Sequence, residues 1–376
     1  MITDLVTRKS FDLANIMKHR GIELLLCDAV EGMSRLVLER AYGAPIEPLR
    51  KTDRFDEDLH AILRNYHDEK IVYIPIEEDT TLLFYRFLER GEVPENLFYN
   101  LPPKESFETV RDKGRFSAFC HVKGIPVPAE YRYEALKETV PLPDDLIIKP
   151  RYGSGSAGIR FVDRGERVPE MTAAEAEKYL FQQRLENPQN VEGGFFLFEK
   201  GKMVGYYGHR RIRTYPERGG VTVFSKCEKS PELRELGKEV LEKLSWSGMA
   251  MVEFLYDSKT SGYRIIEINP RLWGSLMLAE FCGSRILENY VLSALGATCE
   301  PGTVDTSRYI RWFFPWDLLL YLQKRGRVRR FWGNGGKKVC YINFTYSRFD
   351  RSLLFTLYNM FNPRMMRKLV QKVRGG

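Results

Sequence analysis

Residues Ile147–Val162 read IIKPRYGSGSAGIRFV, and this stretch decides how the rest of the chain is read. A short β-type run ends at Lys149. Gly153, Ser154, Gly155, Ser156 and Gly158 then form a loop that leads directly into a second β-type run. Strand, glycine-rich loop, strand is not a Walker loop, which carries G-x-x-x-x-G-K-[ST] and opens a helix. Nor is it a dinucleotide fingerprint, which also opens a helix. A loop with few side chains still lets backbone N–H groups approach phosphate oxygens, and the Lys149 ammonium adds a point charge beside them. An ordinary hairpin explains this one segment equally well.

A second signal lies downstream, where GMAMVEFLYD (248–257) and YRIIEINP (263–270) read as paired strands. With their connection centred on Thr260, Glu253 falls directly opposite Glu267, a like-charge pair that weakens a hairpin. Asn269 is two residues beyond Glu267 and projects from the same face. Two carboxylates and an amide oxygen suit Mg²⁺ or Mn²⁺, hard cations that combine a few carboxylates with substrate phosphates. Two solvated acids on an exposed face are the alternative. Arg271 follows, with a planar fork suited to a phosphate or another oxyanion.

Other pieces are weaker singly. Lys113 stands near the start of a helix expected over Phe107–Val122, where an exposed helix lysine is the plainer account. FQQRLENPQNVEGG (181–194) could leave backbone groups free for an adenine edge, or simply connect two elements. Arg210, Arg211 and Arg213 make a dense cationic strand; on strict alternation Arg211 and Arg213 share a face and could clamp a phosphate or carboxylate, unless they are merely solvated.

The N-terminal region alternates a helical pattern near Phe11–His19 with strands at GIELLLCD (21–28) and KIVYIPIEED (70–79), the rhythm of a small parallel α/β layer. A boundary is expected near residue 103. A hairpin turn is expected at Lys200 and Gly201, and a helix over Pro231–Leu244, where apolar residues recur at helical spacing. With 376 residues, 43% hydrophobic and 29% charged, the chain should fold as two or three domains, which excludes a peptide hormone or a disordered tail. Six scattered cysteines contain no C-x-x-C pair and five histidines no H-x-x-x-H pair, so neither a disulfide framework nor a zinc site is indicated. Charges interrupt the first dozen residues and no apolar run is long enough for a membrane span, so a cytoplasmic address is expected.

The net charge of +8 is unevenly distributed: from Arg308 onward there are 16 Lys/Arg against 2 Asp/Glu, a net +14, leaving −6 for residues 1–307. That basic region interleaves its cations with Trp312, Phe313, Phe314, Trp316, Phe331, Trp332, Tyr341, Phe344 and Tyr346. A cap whose aromatics pack on the core is the first expectation. Peripheral contact with an anionic inner-membrane face or an acidic partner is the second, and nucleic acid is disfavoured.

The order of these pieces resembles the ATP-grasp superfamily of carboxylate-activating ligases, in the branch near biotin carboxylase and the carbamoyl-phosphate synthase large subunit. The resemblance runs from the N-terminal layer to about residue 290. It implies an α/β and α+β architecture: an N-terminal α/β domain (1–103), a two-lobed ATP-grasp domain (104–300; small lobe about 120–185, large lobe about 186–300), and a basic C-terminal region (301–376). It further implies ATP as co-substrate, contacted by Lys113, by Lys149 and by the loop Gly153, Ser154, Gly155, Ser156 and Gly158. Gln182, Gln183 and Leu185 would take the adenine and Glu192 the ribose. Glu253, Glu267 and Asn269 would hold Mg²⁺ or Mn²⁺, with Arg271 and Lys149 at the transferring phosphoryl.

The chain departs from biotin carboxylase where LWGSLMLAEFCG (272–283) follows Arg271 in place of V-E-H, and no A-M-K-M biotin-attachment motif occurs. The WGS segment and HRRIRTYPERGG (209–220) resemble amide-forming ATP-grasp proteins. The resemblance thus implies an ADP-forming carboxylate–amine ligase acting on small molecules, with selectivity set around Arg211, Arg213, Trp273 and Ser275. A bicarbonate-using carboxylase or carbamoyl-phosphate-type enzyme, and a non-catalytic ATP-binding module with a membrane- or nucleic-acid-binding tail, remain as alternatives.

Overall fold

The computed structural model describes residues 1–91, 93–139, 141–153, 158–185, 191–215, 221–323, 338–341 and 346–362. The N-terminal layer comprises α1 (Arg8–His19), β1 (Leu26–Asp28), α2 (Gly32–Tyr42), β2 (Ile46–Pro48), α3 (Phe55–Asn65), β3 (Ile71–Val72), α4 (Glu78–Arg90) and β4 (Leu97–Phe98). Its strands pair in parallel, β1 with β2 and β3 with β4. Thr7 caps α1 through its side chain, accepting from the Ser10 N–H.

The expected helix over Phe107–Val122 is two helices, α5 (Lys104–Arg111) and α6 (Lys113–Lys123). Asp112 makes the break. Its backbone is extended and its side chain accepts from the Gly114 and Arg115 N–H groups, so a capping residue starts a new helix in the middle of the apolar pattern. Gly124, in the left-handed region at φ 67°, ends α6.

A small antiparallel sheet follows, built from β5 (Glu130–Tyr131), β6 (Leu146–Pro150), β7 (Arg160–Val162) and β8 (Tyr179–Gln183), with α7 (Tyr133–Glu138) and α8 (Ala173–Ala176) between them. Strand order is β5-β8-β6-β7, and β6 pairs antiparallel with β7, as the strand–loop–strand reading of the glycine segment expects. Leu146, Ile148, Val162 and Phe181 fill the core on one side; Ile147 and Lys149 alternate to the other.

The large sheet begins with β9 (Glu192–Glu199), β10 (Lys202–Tyr215) and β11 (Val221–Glu228); after α9 (Pro231–Lys243) it continues through β12 (Gly248–Asp257) and β13 (Gly262–Asn269). The turn between β9 and β10 is at Lys200 and Gly201, both with positive φ (47° and 79°), as two-residue hairpins of this hand require. Ser230 caps α9 and a proline occupies its first turn. Beyond α10 (Leu276–Phe281) and α11 (Ile286–Ala294), β14 (Arg308–Arg311) joins β11; a wide turn at Phe313–Asp317 leads into α12 (Leu318–Gln323), followed by β15 (Lys338–Tyr341) and α13 (Phe349–Phe361). The full order is β13-β12-β9-β10-β11-β14-β15.

Each face of this sheet carries its own core. Phe195, Leu197, Tyr207, Met249, Met251 and Ile310 pack toward the N-terminal layer, α10 and α11. Phe196, Phe198, Val252, Phe254 and Ile268 pack toward α9 and α6. The basic C-terminal region is part of this structure: β14 and β15 extend the sheet, Trp312 is buried, and Phe355 of α13 stacks on Phe11 with ring centroids 4.2 Å apart. Phe331, Trp332 and Phe344 lie outside the described residues.

Candidate nucleotide and metal site

Glu253 and Glu267 are opposed across β12 and β13. The register that puts them there differs from a simple hairpin. Near the turn Asp257 pairs with Gly262 and Phe254 with Ile265, one residue out of step with the expected alignment; Ile266 then bulges from the ladder and restores Glu253 opposite Glu267. The carbonyl of that bulged residue accepts a hydrogen bond from Lys149 Nζ at 3.1 Å, which ties the small sheet to the acidic pair.

Cations surround the acids. Arg211 Nη2 donates to Glu253 Oε1 at 2.5 Å, and Lys113 Nζ lies 3.8 Å from Glu267 Oε2. Asn269 Nδ2 donates to Glu267 Oε1 at 3.1 Å while its Oδ1 accepts from Arg271 Nη2 at 3.0 Å. Burial raises the Glu253 carboxyl above its ordinary range, opposed by Arg211 and reinforced by Glu267. Burial likewise pulls the Lys149 ammonium down to about 8, against the attraction of Glu267.

The glycine loop is anchored at its base. Lys113 Nζ donates to the Gly153 carbonyl at 2.7 Å. Asp112 holds Arg151 Nε and Nη2 at 2.9 and 2.7 Å and accepts from the Tyr152 hydroxyl at 2.9 Å. Gly158, at φ 75°, re-enters β7. Ser154, Gly155 and Ser156 lie outside the described residues.

Gln182 stands opposite Ile147 on β6 and so shares the face of Lys149. Gln183 pairs with Leu146 and projects to the other side, where it lines a cleft of about 430 Å³ with His121, Val127, Asp257 and Arg264. Leu185 is buried with Val191 and Leu255, and Ile266 packs against them, a small apolar cluster beside Lys149.

Glu192 is not brought to the acidic pair. Its neighbour Gly193 is the residue opposite Glu253, so Glu192 takes the other face, where Arg210 Nη2 lies 3.4 Å away and the Tyr263 hydroxyl donates at 3.3 Å. Arg211 and Arg213 do not share a face. Arg211 pairs with Ser225, but Ile212 bulges and Arg213 pairs with Phe224, over whose ring its guanidinium lies at 4.6 Å. Arg213 binds Asp317 with two contacts of 3.1 Å. Trp273, expected to wall the pocket, is 1% exposed; it packs on Phe195 and donates to the Tyr207 hydroxyl at 2.8 Å, a core role. Ser275 is buried against His209 Nδ1 at 3.1 Å.

Sequence reasoning passes over several participants. Arg271 Nε donates to Glu78 Oε1 at 3.1 Å, and Lys9 bridges Glu77 (2.8 Å) and the Ile76 carbonyl (2.7 Å), so the N-terminal layer helps to orient the arginine. The EED run at 77–79 is visible in the sequence, but nothing there connects it to Arg271. His209 has a clearer trace: a Cβ on Gly193 would come 2.8 Å from its ring, so the glycine makes room for the imidazole.

The acidic pair fits a hard divalent cation. Among the described residues no group of three or more His, Cys, Asp and Glu is arranged to hold a metal. Two carboxylates are oxygen donors of the kind Mg²⁺ combines with phosphate oxygens, while the Asn269 amide oxygen is here taken up by Arg271.

The ATP-grasp domain family model matches residues 110–275. The chain carries an ATP-grasp domain. Its boundaries enclose Lys113, Lys149, Arg211, Glu253, Glu267, Asn269 and Arg271. The mitochondrial methylcrotonoyl-CoA carboxylase subunit alpha of rice is 23% identical over 230 residues, 55% of this chain but only 31% of that protein. Two solved structures share the ATP-grasp fold. The biotin carboxylase domain of the Hydrogenobacter thermophilus 2-oxoglutarate carboxylase, in complex with MgADP, ADP and bicarbonate, superposes with TM-score 0.59 at 15% identity, covering 79% of this chain and 70% of that one. N5-carboxyaminoimidazole ribonucleotide synthetase from Thermotoga maritima superposes with TM-score 0.55 at 14% identity, covering 81% and 77%. No helix among the described residues is long and apolar enough to cross a membrane.

Proposed function

We propose that the protein is an ATP-dependent, ADP-forming carboxylate–amine ligase with its reaction centre at Glu253 and Glu267. The observation that carries this is the opposed acidic pair ringed by Lys113, Lys149, Arg211 and Arg271. Glu253, Glu267 and Asn269 would hold Mg²⁺ or Mn²⁺, which would supply positive charge against the charge that develops on the phosphoryl group. The carboxylate oxygen of the acceptor attacks the γ-phosphorus and the bond to the β-phosphate oxygen breaks, releasing ADP. An amine then attacks the acyl carbon, loses its proton, and expels phosphate to leave an amide.

Protein side chains form no covalent bond in this scheme; their work is positioning and charge stabilisation. Lys149 of the small sheet and Lys113 at the start of α6 neutralise the phosphates. Arg271, oriented by Glu78 and Asn269, faces the transferring group. Gln182 and the cluster of Leu185, Val191, Leu255 and Ile266 offer one polar edge and an apolar surface for adenine.

Lys149→Ala and Glu267→Ala should each lower ADP release by at least about a hundredfold while far-UV circular dichroism is unchanged. Wild-type turnover in either variant would refute the assignment. ADP release measured with pooled carboxylates crossed with pooled amines, beside bicarbonate alone, identifies the acceptor. Bicarbonate has support as a second reading, because the similar Hydrogenobacter domain was crystallised with that anion.

The C-terminal region supports a peripheral role beside the catalytic one. Phe349, Leu353, Leu357 and Phe361 form an exposed stripe at four-residue spacing along α13, in a region of net charge +14. Cosedimentation with phosphatidylserine vesicles that weakens with salt, and not with neutral vesicles, is the expected result.

A further inference from the structure

On the face of the large sheet that carries Glu253, four buried polar atoms have no hydrogen-bond partner among the described residues: His209 Nε2, Arg211 Nε, Ser225 Oγ and Trp312 Nε1. His209 is 2% exposed, Ser225 0% and Trp312 1%. Buried polar groups are nearly always satisfied, so four orphans on one surface call for an explanation. The register sets them in a diagonal row on that face, with His209 and Trp312 at its two ends. His209 and Arg211 are alternate residues of β10; Ser225 pairs with Arg211 on one side and with Ile310 on the other; Trp312 is two residues beyond Ile310, diagonal to Ser225. At the opposite end the His209 ring leans over Gly193, the residue that faces Glu253, and Arg211 Nη2 binds Glu253 itself.

Their chemistry is one-sided. Arg211 Nε and Trp312 Nε1 can only donate, and the Ser225 hydroxyl can donate. Burial and the adjoining Arg211 hold His209 neutral; Ser275 Oγ lies 3.1 Å from Nδ1, and in the tautomer in which that hydroxyl donates, Nε2 carries the proton and is a donor too. A second guanidinium, that of Arg8, lies 4.7 Å from the centre of the Trp312 ring. Donors without acceptors beside a cation suit an oxyanion.

We propose that His209, Arg211 Nε, Ser225 and Trp312 form the cradle of the acceptor carboxylate, which enters beside Glu253 and extends along β11 toward Trp312. The proposal rests on the ligase reading above and adds the residues that select the acid. It accounts for Gly193, where any side chain would displace the imidazole, and for the burial of Trp312 with its N–H unspent.

The test uses the full chain in thermal melts with saturating MgADP, titrated with sodium formate, acetate and benzoate against sodium chloride at equal ionic strength. Wild type should be stabilised saturably by at least one of the three acids. Ser225→Ala and Trp312→Phe, which remove a donor with little change of shape, should each weaken that response about tenfold or more and leave the MgADP shift unchanged. If Trp312→Phe fails to fold, Ser225→Ala decides alone. Absence of a carboxylate response in wild type, or an equal response in the variants, would overturn the cradle and leave the orphans as water sites. Loss of the MgADP shift in wild type would instead count against the nucleotide site; the same acids titrated without nucleotide then decide the cradle separately.

Discussion

The two faces of the large sheet treat their charges differently. Away from Glu253, cations and anions cancel: Arg210 lies between Glu192 and Glu228, and Arg213 and Arg311 converge on Asp317. On the Glu253 face two opposed carboxylates share a ring of cations, and four buried polar atoms meet no partner among the described residues. A face whose charges satisfy one another is built for stability; a face that keeps unspent groups is built for a ligand, and the fold gives up some stability to keep them so.

The contrast is sharpest at two arginines two residues apart. Arg211→Gln should lower ADP release by about a hundredfold, whereas Arg213→Gln should leave kcat and KM within about twofold of wild type. Equal losses would break the distinction between the faces. The second effect in size is structural. Asp317 is fully buried between two guanidinium groups, so Asp317→Asn, which removes the carboxylate they share, should cost about 3–5 kcal/mol in denaturant melts. A change below about 1 kcal/mol would show that the far face is not held by this cluster.

Those arginines also mark where the sequence could be read and where it could not. Strand alternation places Arg211 and Arg213 together, and the Ile212 bulge separates them; the same alternation places Glu253 opposite Glu267, and there the Ile266 bulge compensates for a turn displaced from Thr260. A bulge changes a side chain's face without a distinctive residue to announce it. The strands flanking the glycine segment, the acidic hairpin and α9 were legible because their signals are local: β-type runs either side of the glycines, like charges at fixed separation, apolar residues at helical spacing. Glu78, Ser225 and Trp312 were not, since each meets the site across a long sequence separation that one sequence does not encode as a pattern. Trp273 and Gln183 sit near the right motifs, but core packing and strand parity direct them elsewhere.

The smallest expected effect concerns the edge where the N-terminal layer meets the Glu253 face. Burial pushes the Asp12 carboxyl up to about 7, only partly opposed by Arg8 at 3.8 Å. The folded state therefore binds this proton more tightly than the unfolded chain, so the stabilisation is full below about pH 4 and is lost as pH rises through about 7. Tm should fall by a few degrees over that window, and Asp12→Asn should flatten the profile. An unchanged profile in the variant would assign the dependence to another group.

The central claim is that the opposed acids at 253 and 267 hold a metal–nucleotide complex. Crystals grown with Mn²⁺ and saturating ADP should show an anomalous peak between Glu253 and Glu267, within coordination distance of Asn269, with the diphosphate toward Lys149. Nucleotide bound with manganese remote from both carboxylates, or that cleft empty at saturating ADP, would contradict it.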